Sequence, residues 1–219
     1  MGLLGLAAIG SVAASPPELP PISNATWSRL EAGETVVDTG RAQDGTFMVT
    51  MSALYHEAPE VVWDVVADCS RFAEFMPRML ESEIVETAAD SVVCRTVSDM
   101  PLGFSNLESA VRTWTEERPD GSYHRWFEQV PGEWSFARND GYWSVWPHQG
   151  AGGVRTLLRY RLALAPNMKV PSFIVKAAQE TTAPGSIEAI RREARRRTPT
   201  AVSAAPPRLT EKIEETSGP

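Results

Sequence analysis

Two segments near the middle of the chain alternate charged and aromatic side chains in a way that could support acid/base chemistry. Six residues carry this pattern: Glu108, Arg112 and Trp114 on one parity of the first segment, and His124, Trp126 and Glu128 on one parity of the second. Successive side chains of a strand point to opposite faces, so each set lies on one face. Facing an interior, they would orient a ligand's hydroxyl or carbonyl group, or shift a carboxyl pKa for proton transfer. Facing outward, they would be solvated charges, since unpaired buried charges are costly.

No independent catalytic signature accompanies these residues. The sequence contains no HExxH, GxSxG, Walker A or GxGxxG motif. His56, His124 and His148 are isolated from one another and have no metal-ligand partner at local spacing, so we interpret them as surface or strand-end residues. The sequence therefore predicts neither a metal site nor a cofactor.

Hydrophobic periodicity indicates the elements that position these side chains. Period-two patterns predict strands at Phe47–His56, Leu80–Glu86, Val92–Asp99, Phe104–Glu116, Tyr123–Val130 and Tyr142–Trp146, and a last strand through Val154–Leu164. Helical spacing predicts two short helices between Pro59 and Pro77, and a long helix from Pro171 that Pro184-Gly185 kinks or breaks. Strands bounded by helices are typical of an α+β fold.

The last strand has the clearest division between its two faces. Thr156, Leu158, Tyr160 and Leu162 share one parity, whereas the opposite parity carries Arg155, Arg159 and Arg161. One face of the antiparallel sheet is therefore expected to meet an interior and the other to meet water.

The ends of the chain are expected to lie outside this domain, which we assign to residues 29–197. Residues 1–14 combine a short apolar run with small residues, as in a signal peptide, although no Lys or Arg precedes the run. Residues 15–28 are proline-dense and are predicted to be a linker, and residues 198–219 a flexible tail. Export and a cytoplasmic location both remain open.

Charge and cysteine content restrict the partners. A formal charge of −7 argues against nucleic-acid binding, which depends on cations that displace counterions. The basic run Arg191–Arg197 either complements the dipole of its helix or makes weak contact with an anionic membrane. Cys69 and Cys94 are too few for a disulfide framework and are interpreted as small core residues, or as a pair if the protein is exported.

The order of elements and three local blocks resemble the START-like helix-grip (SRPBCC) superfamily, especially its polyketide cyclase/dehydrase and coenzyme Q-binding members. The blocks are Ala58–Val65 leading to Asp68, Phe72 and Pro77; Gly132-Glu133-Trp134 followed by Gly141-Tyr142-Trp143; and Thr156–Tyr160 with Pro171-Ser172-Phe173. The resemblance covers Glu31 to Arg197 and departs at Pro184-Gly185, where relatives carry a more continuous helix. It implies a curved sheet of about seven strands around the C-terminal helix, with an elongated cavity for lipids, sterols, quinones or aromatic polyketides.

A strongly bent sheet and one helix cannot pack closely everywhere, and the remaining apolar space attracts apolar ligands. The candidate lining residues are Phe75, Met76, Met79, Trp114, Trp126, Trp143, Leu158, Tyr160, Phe173, Ile174 and Ala177. We expect the Phe72–Met79 segment and the two-part helix to act as a gate.

Three functions fit this picture. The leading hypothesis is a noncatalytic carrier of a hydrophobic small molecule or lipid of the quinone, sterol or polyketide class. The alternative is a cyclase or dehydratase that acts on a polyketide-like substrate through Glu108 or Glu128 with His124 or Arg112. A protein-interaction module working through the basic helix end is the third, and it leaves the aromatic interior unexplained.

Overall fold

The computed structural model describes residues 21–100, 104–150, 153–168 and 182–198. Within these ranges the strands are β1 (Val36–Arg41), β2 (Phe47–Tyr55), β3 (Met79–Thr87), β4 (Val92–Ser98), β5 (Leu107–Glu117), β6 (Tyr123–Gln129), β7 (Phe136–Gly150) and β8 (Gly153–Pro166). The helices are α1 (Asn24–Glu31), α2 (Pro59–Ala67), α3 (Phe72–Phe75) and α4 (Ala183–Arg197), with a 3-10 turn at Cys69–Arg71. All strands join one antiparallel sheet in the order β1-β2-β8-β7-β6-β5-β4-β3.

This architecture confirms the predicted α+β helix-grip fold, with one strand more than expected. The additional strand is β1, an edge strand that pairs with β2 and buries little besides Val36. Helix α1 corrects the N-terminal boundary, because it begins within residues 15–28, which were predicted to be a linker. It is capped by Ser23, whose Oγ accepts a hydrogen bond from the backbone N–H of Thr26 at 3.1 Å.

Helices α2 and α4 cover one part of the concave face of the sheet. Pro59 occupies the first turn of α2, where its missing N–H is harmless, and Val62, Val65 and Val66 form the buried stripe of that helix. These side chains pack with Ile187 of α4 and its neighbours in the main hydrophobic core. This part of the interior is close-packed, and the hydroxyl of Tyr55 donates to the carbonyl of Ile187 at 3.2 Å.

Helix α4 begins at Ala183, so Pro184 lies in its first turn, a position that proline tolerates well. The predicted N-terminal half of the long helix, with Phe173, Ile174 and Ala177, lies outside the described residues, as do the candidate signal peptide and nearly all of the predicted tail. Among the described residues, no helix has both the length and the apolar character needed to span a bilayer.

A disulfide joins Cys69 and Cys94, whose Cα atoms are 6.4 Å apart. It links the 3-10 turn after α2 to strand β4 and thereby holds the turn and α3 against the sheet. The structure thus shows Cys69 and Cys94 as a disulfide pair and not as two free thiols in the core.

Candidate functional site

A cavity of about 350 Å³ lies beyond the packed part of the core, on the same concave face. Its walls come from β2, from strands β4 to β8, from the 3-10 turn and α3 with the segment that leads into β3, and from the start of α4 at Thr182 and Ser186. Most of the lining side chains are apolar. The volume falls near the lower end of the range of about 300–1,000 Å³ that is usual for small-molecule sites.

Four of the predicted lining residues do contact this cavity: Met76, Met79, Trp143 and Tyr160. The rings of Trp143 and Tyr160 are 4.0 Å apart between centroids, and the ring of Phe127 also stacks with Tyr160, at 6.4 Å between centroids. Together these rings form an aromatic wall. Only glycine fits at Gly141, since a Cβ there would lie 2.0 Å from the backbone carbonyl oxygen of Arg161 and 2.9 Å from the Phe127 ring.

Two predicted residues belong to the packed core instead. Leu158 is fully buried but does not line the cavity, because α2 and α4 cover its position on β8. Phe75 packs against the core without lining the cavity, and Phe72, on the preceding turn, lines it. In this segment the prediction named Phe75 where Phe72, three residues earlier, lines the cavity. Phe173, Ile174 and Ala177 lie outside the described residues.

The prediction that Trp114 and Trp126 line the cavity is wrong. They stack on each other with ring centroids 6.3 Å apart on the convex face of the sheet, and Trp126 borders a shallow groove there. In β5 and β6 the inward parity carries Val111, Thr113 and Phe127. An aromatic cross-strand pair on the outer face explains the two indoles.

The predicted polar cluster is also outside the cavity. The guanidinium of Arg95 on β4 donates to Glu108 at 2.5 Å, and Arg112 pairs with Glu86 of β3 at 2.8 Å. Glu128 is exposed, and none of these residues lines the cavity. Because they share the outward parity, the acid/base arrangement proposed from the sequence is not formed.

His124 is buried, contrary to the prediction that it is a surface or strand-end residue. Its imidazole lies between the hydroxyls of Ser122 and Ser144, 3.0 Å from each, and meets the Trp146 ring edge-on. Burial lowers the pKa of His124 below its usual value of 6.5. The residue faces the convex side, so it stabilises the sheet there and has no access to the cavity.

Sequence reasoning missed Arg125. Its side chain lies in the cavity wall, is 2 % exposed, and is the only charged group among the described residues that line the cavity. A signal was present, because Arg125 shares its parity on β6 with Tyr123 and Phe127, both of which join the core. Burial lowers the pKa of Arg125 to about 10, so the guanidinium is charged at neutral pH.

The remaining polar groups of the wall are neutral. Asn139 donates from Nδ2 to Ser109 Oγ at 2.7 Å, and burial raises the pKa of Tyr160 above its ordinary value, which keeps the phenol protonated. The described lining contains no carboxylate and no imidazole. Nowhere in the described part of the chain do three His, Cys, Asp or Glu side chains converge as metal ligands would.

The basic run at the end of α4 is largely engaged within the protein. Arg196 and Arg197 donate to the carboxylate of Glu193 at 2.6 Å and 2.8 Å, and Arg195 lies 3.5 Å from Glu57. Arg191 pairs with Glu188. These pairs support the interpretation in which the cations stabilise their own helix, and contact with an anionic membrane stays a prediction.

The fold has counterparts among known proteins. Residues 57–191 match the family model described as polyketide cyclase / dehydrase and lipid transport, and the chain belongs to that family. No curated protein matches the sequence at a significant level.

Several solved structures share the fold at low sequence identity. A STAR-related lipid transfer protein from Xanthomonas axonopodis is 20% identical, with 73% of this chain and 98% of that chain covered and a TM-score of 0.57. The Zhui aromatase/cyclase from Streptomyces sp. R1128 is 17% identical, with coverage of 71% and 97% and a TM-score of 0.55. Human StAR-related lipid transfer protein 5 is 14% identical, with coverage of 78% and 91% and a TM-score of 0.62.

Proposed function

We propose that this protein is a noncatalytic carrier that binds one hydrophobic small molecule or lipid in the cavity on the concave face. The observation that carries the proposal is the cavity of about 350 Å³ behind the Trp143 and Tyr160 rings, walled mainly by apolar side chains. Removing apolar ligand surface from water supplies roughly 25 cal/mol per Å², so such a space favours an apolar guest.

The size of the cavity favours certain ligands within this class. A two-chain phospholipid is too large for this volume, whereas a single acyl chain, a quinone ring, a sterol fragment or a small polyketide is of suitable size. Lipid transfer and aromatase/cyclase proteins are both present among the similar folds, and both suit ligands of this kind. A carrier needs no general acid or base in its walls, in agreement with the outward orientation of Glu108, Arg112, His124 and Glu128.

Extraction of ligand from purified protein, followed by mass spectrometry, tests the proposal. A stoichiometric apolar compound is expected from the natural protein. Thr96→Trp, which fills the cavity from β4, should lose it, and Glu128→Trp, an exposed substitution on the convex face, should retain it. Retention of the compound by Thr96→Trp would place the bound molecule elsewhere and contradict the proposal.

We further propose that the protein is exported and folds in an oxidising compartment. The disulfide between Cys69 and Cys94 supports this, because disulfides persist outside reducing compartments. Fractionation of the native host, with antibody detection, tests the proposal. Recovery of the mature chain only from the cytoplasm, with both thiols free, would contradict it.

A further inference from the structure

Arg125 is a buried cation that has no anionic partner among the residues the structure describes. Its Nη1 donates to the backbone carbonyl of Val66 at 2.7 Å, and its Nη2 lies 3.4 Å from Thr113 Oγ1 and 3.5 Å from Cys94 Sγ. The Nε–H group is buried and has no hydrogen-bond partner in the described part of the chain. All three acceptors are neutral, sulfur is a weak acceptor, and the contact to Thr113 Oγ1 is long for an N–H···O hydrogen bond.

The surroundings leave the charge of Arg125 uncompensated. In the described part of the chain, no carboxylate lies within 4.0 Å of the guanidinium. Tyr160 and then Asp68 act on the pKa of Arg125 in the raising direction, against the effect of burial, and Asp68 Oδ1 itself accepts hydrogen bonds from the N–H and the hydroxyl of Ser70. A buried charge is costly unless it is paired, and a buried donor that lacks an acceptor adds a further cost.

The other arginines of the neighbouring strands are treated differently. Arg95 donates to Glu81, Glu83 and Glu108, and Arg112 donates to Glu86, all on the convex face. Arg95 and Arg112, on the outer face of β4 and β5, thus have carboxylate partners, whereas the described residues supply none to Arg125, which lines the cavity. That contrast makes the cavity, which Arg125 lines, the place to seek an anionic partner.

We propose that the ligand of this cavity carries a carboxylate that pairs with Arg125, so that the protein takes an apolar carboxylic acid with a single chain or fused ring. This inference rests on the proposed carrier function. One guanidinium among otherwise uncharged described lining residues matches a single negative charge. A planar guanidinium forms paired hydrogen bonds with a carboxylate, and the Nε–H of Arg125 has no acceptor among the described residues. The ring of Phe72, 5.4 Å from the guanidinium carbon, covers the site from the side of α3.

Matched pairs of probes that differ only in charge test the inference on the full-length protein. Decanoate is compared with decanol, and naphthalene-2-carboxylate with naphthol, by calorimetry and by quenching of tryptophan fluorescence. For the natural protein, at least one carboxylate should bind roughly tenfold tighter than its neutral partner, or more, because charge-assisted hydrogen bonds within a buried site are strong.

Variants then assign the preference to Arg125. Arg125→Met should weaken carboxylate binding by roughly tenfold or more and leave binding of the neutral partner intact. Arg112→Met, which removes an arginine from the convex face, should keep the preference. A thermal melt monitored by circular dichroism shows whether each variant is folded. If a variant does not fold, the comparison of carboxylate and neutral probes on the natural protein still tests the inference.

The outcomes separate the two proposals. Equal affinity for charged and neutral probes, or a preference that survives Arg125→Met, overturns the carboxylate inference and leaves an apolar carrier. Binding of neither pair overturns the carrier function, and with it the inference. Tighter binding of the alcohol would show that Arg125 donates to a neutral oxygen, and it would also overturn the carboxylate inference.

Discussion

The concave face of the sheet is divided along strand β8 into a packed half and a hollow half. At Leu158 the strand is covered by α2 and α4, and Tyr55, Val145 and Ile187 fill the space around it. From Tyr160 through Leu162 to Leu164 the same parity of the same strand lines the cavity. Among the described elements, the hollow therefore lies where α2 and α4 no longer cover the inward side chains of β8.

Two leucines on β8 offer the most direct test of this division. Leu158→Ala should destabilise the protein by about 4 kcal/mol, because a close-packed site collapses poorly around the void. Leu162→Ala should cost only about 1 kcal/mol, since the half-buried Leu162 side chain already borders an open space. Urea denaturation of both variants measures the difference. Equal losses would mean that the cavity is as tightly filled as the core.

The hollow half is held by the disulfide, and its reduction is expected to have the next largest effect. Opening the bond between Cys69 and Cys94 should lower the free energy of unfolding by about 3 kcal/mol, given the short chain segment that it closes. Urea unfolding with and without reductant measures this loss, and Cys69→Ser combined with Cys94→Ser should reproduce it. Two free thiols by mass spectrometry in unreduced protein would contradict the prediction.

The same division explains which features could be predicted from the sequence. The strands and α2 could be identified because their burial follows regular periods, and Phe47–Tyr55 differs from its predicted range by one residue. Edge strand β1 could not, since Asp38, Thr39 and Gly40 are exposed and leave little hydrophobic pattern. Helix α1 could not be predicted either, because Leu30 is its only fully buried side chain and one residue makes no helical pattern.

The inward parity of β5 and β6 could not be decided from the sequence. Both parities of these strands mix apolar and polar side chains: the outward set includes Trp114 and Trp126, and the inward set includes Thr113 and Arg125. Hydrophobicity favours the tryptophans as the inner set. The actual choice depends on pairing with β4, where Cys94 must face the 3-10 turn to form the disulfide, and that constraint is tertiary.

In the packed half, Glu193 accepts hydrogen bonds from arginines in the last turn of α4. The hydrogen bonds from Arg196 and Arg197 hold the pKa of Glu193 at about 2, and Arg197 also donates to the backbone carbonyl of Asp64, at the C-terminal part of α2. Glu193→Gln should destabilise the protein by about 1–2 kcal/mol at neutral pH. Glu188→Gln is the control, because that carboxylate is half exposed on the same helix.

The pH dependence of this effect has a definite sign. A folded-state pKa below the ordinary value of 4.5 means that the unfolded chain binds the proton more readily, so the stabilisation is present above pH 4.5 and is lost as the pH falls toward about 2. The natural protein and Glu193→Gln should therefore converge in stability in acid. A constant difference between them down to pH 2 would show that the carboxylate is not a charged partner.

The smallest expected effect belongs to the convex face behind the packed half, where His124 is sequestered between Ser122 and Ser144. Because burial lowers the pKa of His124 in the folded protein, the unfolded chain takes up a proton first as the pH falls below 6.5, and stability declines from that point. His124→Gln, which stays neutral, should flatten the decline, whereas substitution of the exposed His56 by Gln should leave it unchanged. Denaturant midpoints measured between pH 7 and 5 distinguish these cases. An identical decline in His124→Gln would mean that the imidazole is protonated in the folded protein without cost, and that its burial on the convex face does not oppose the charge.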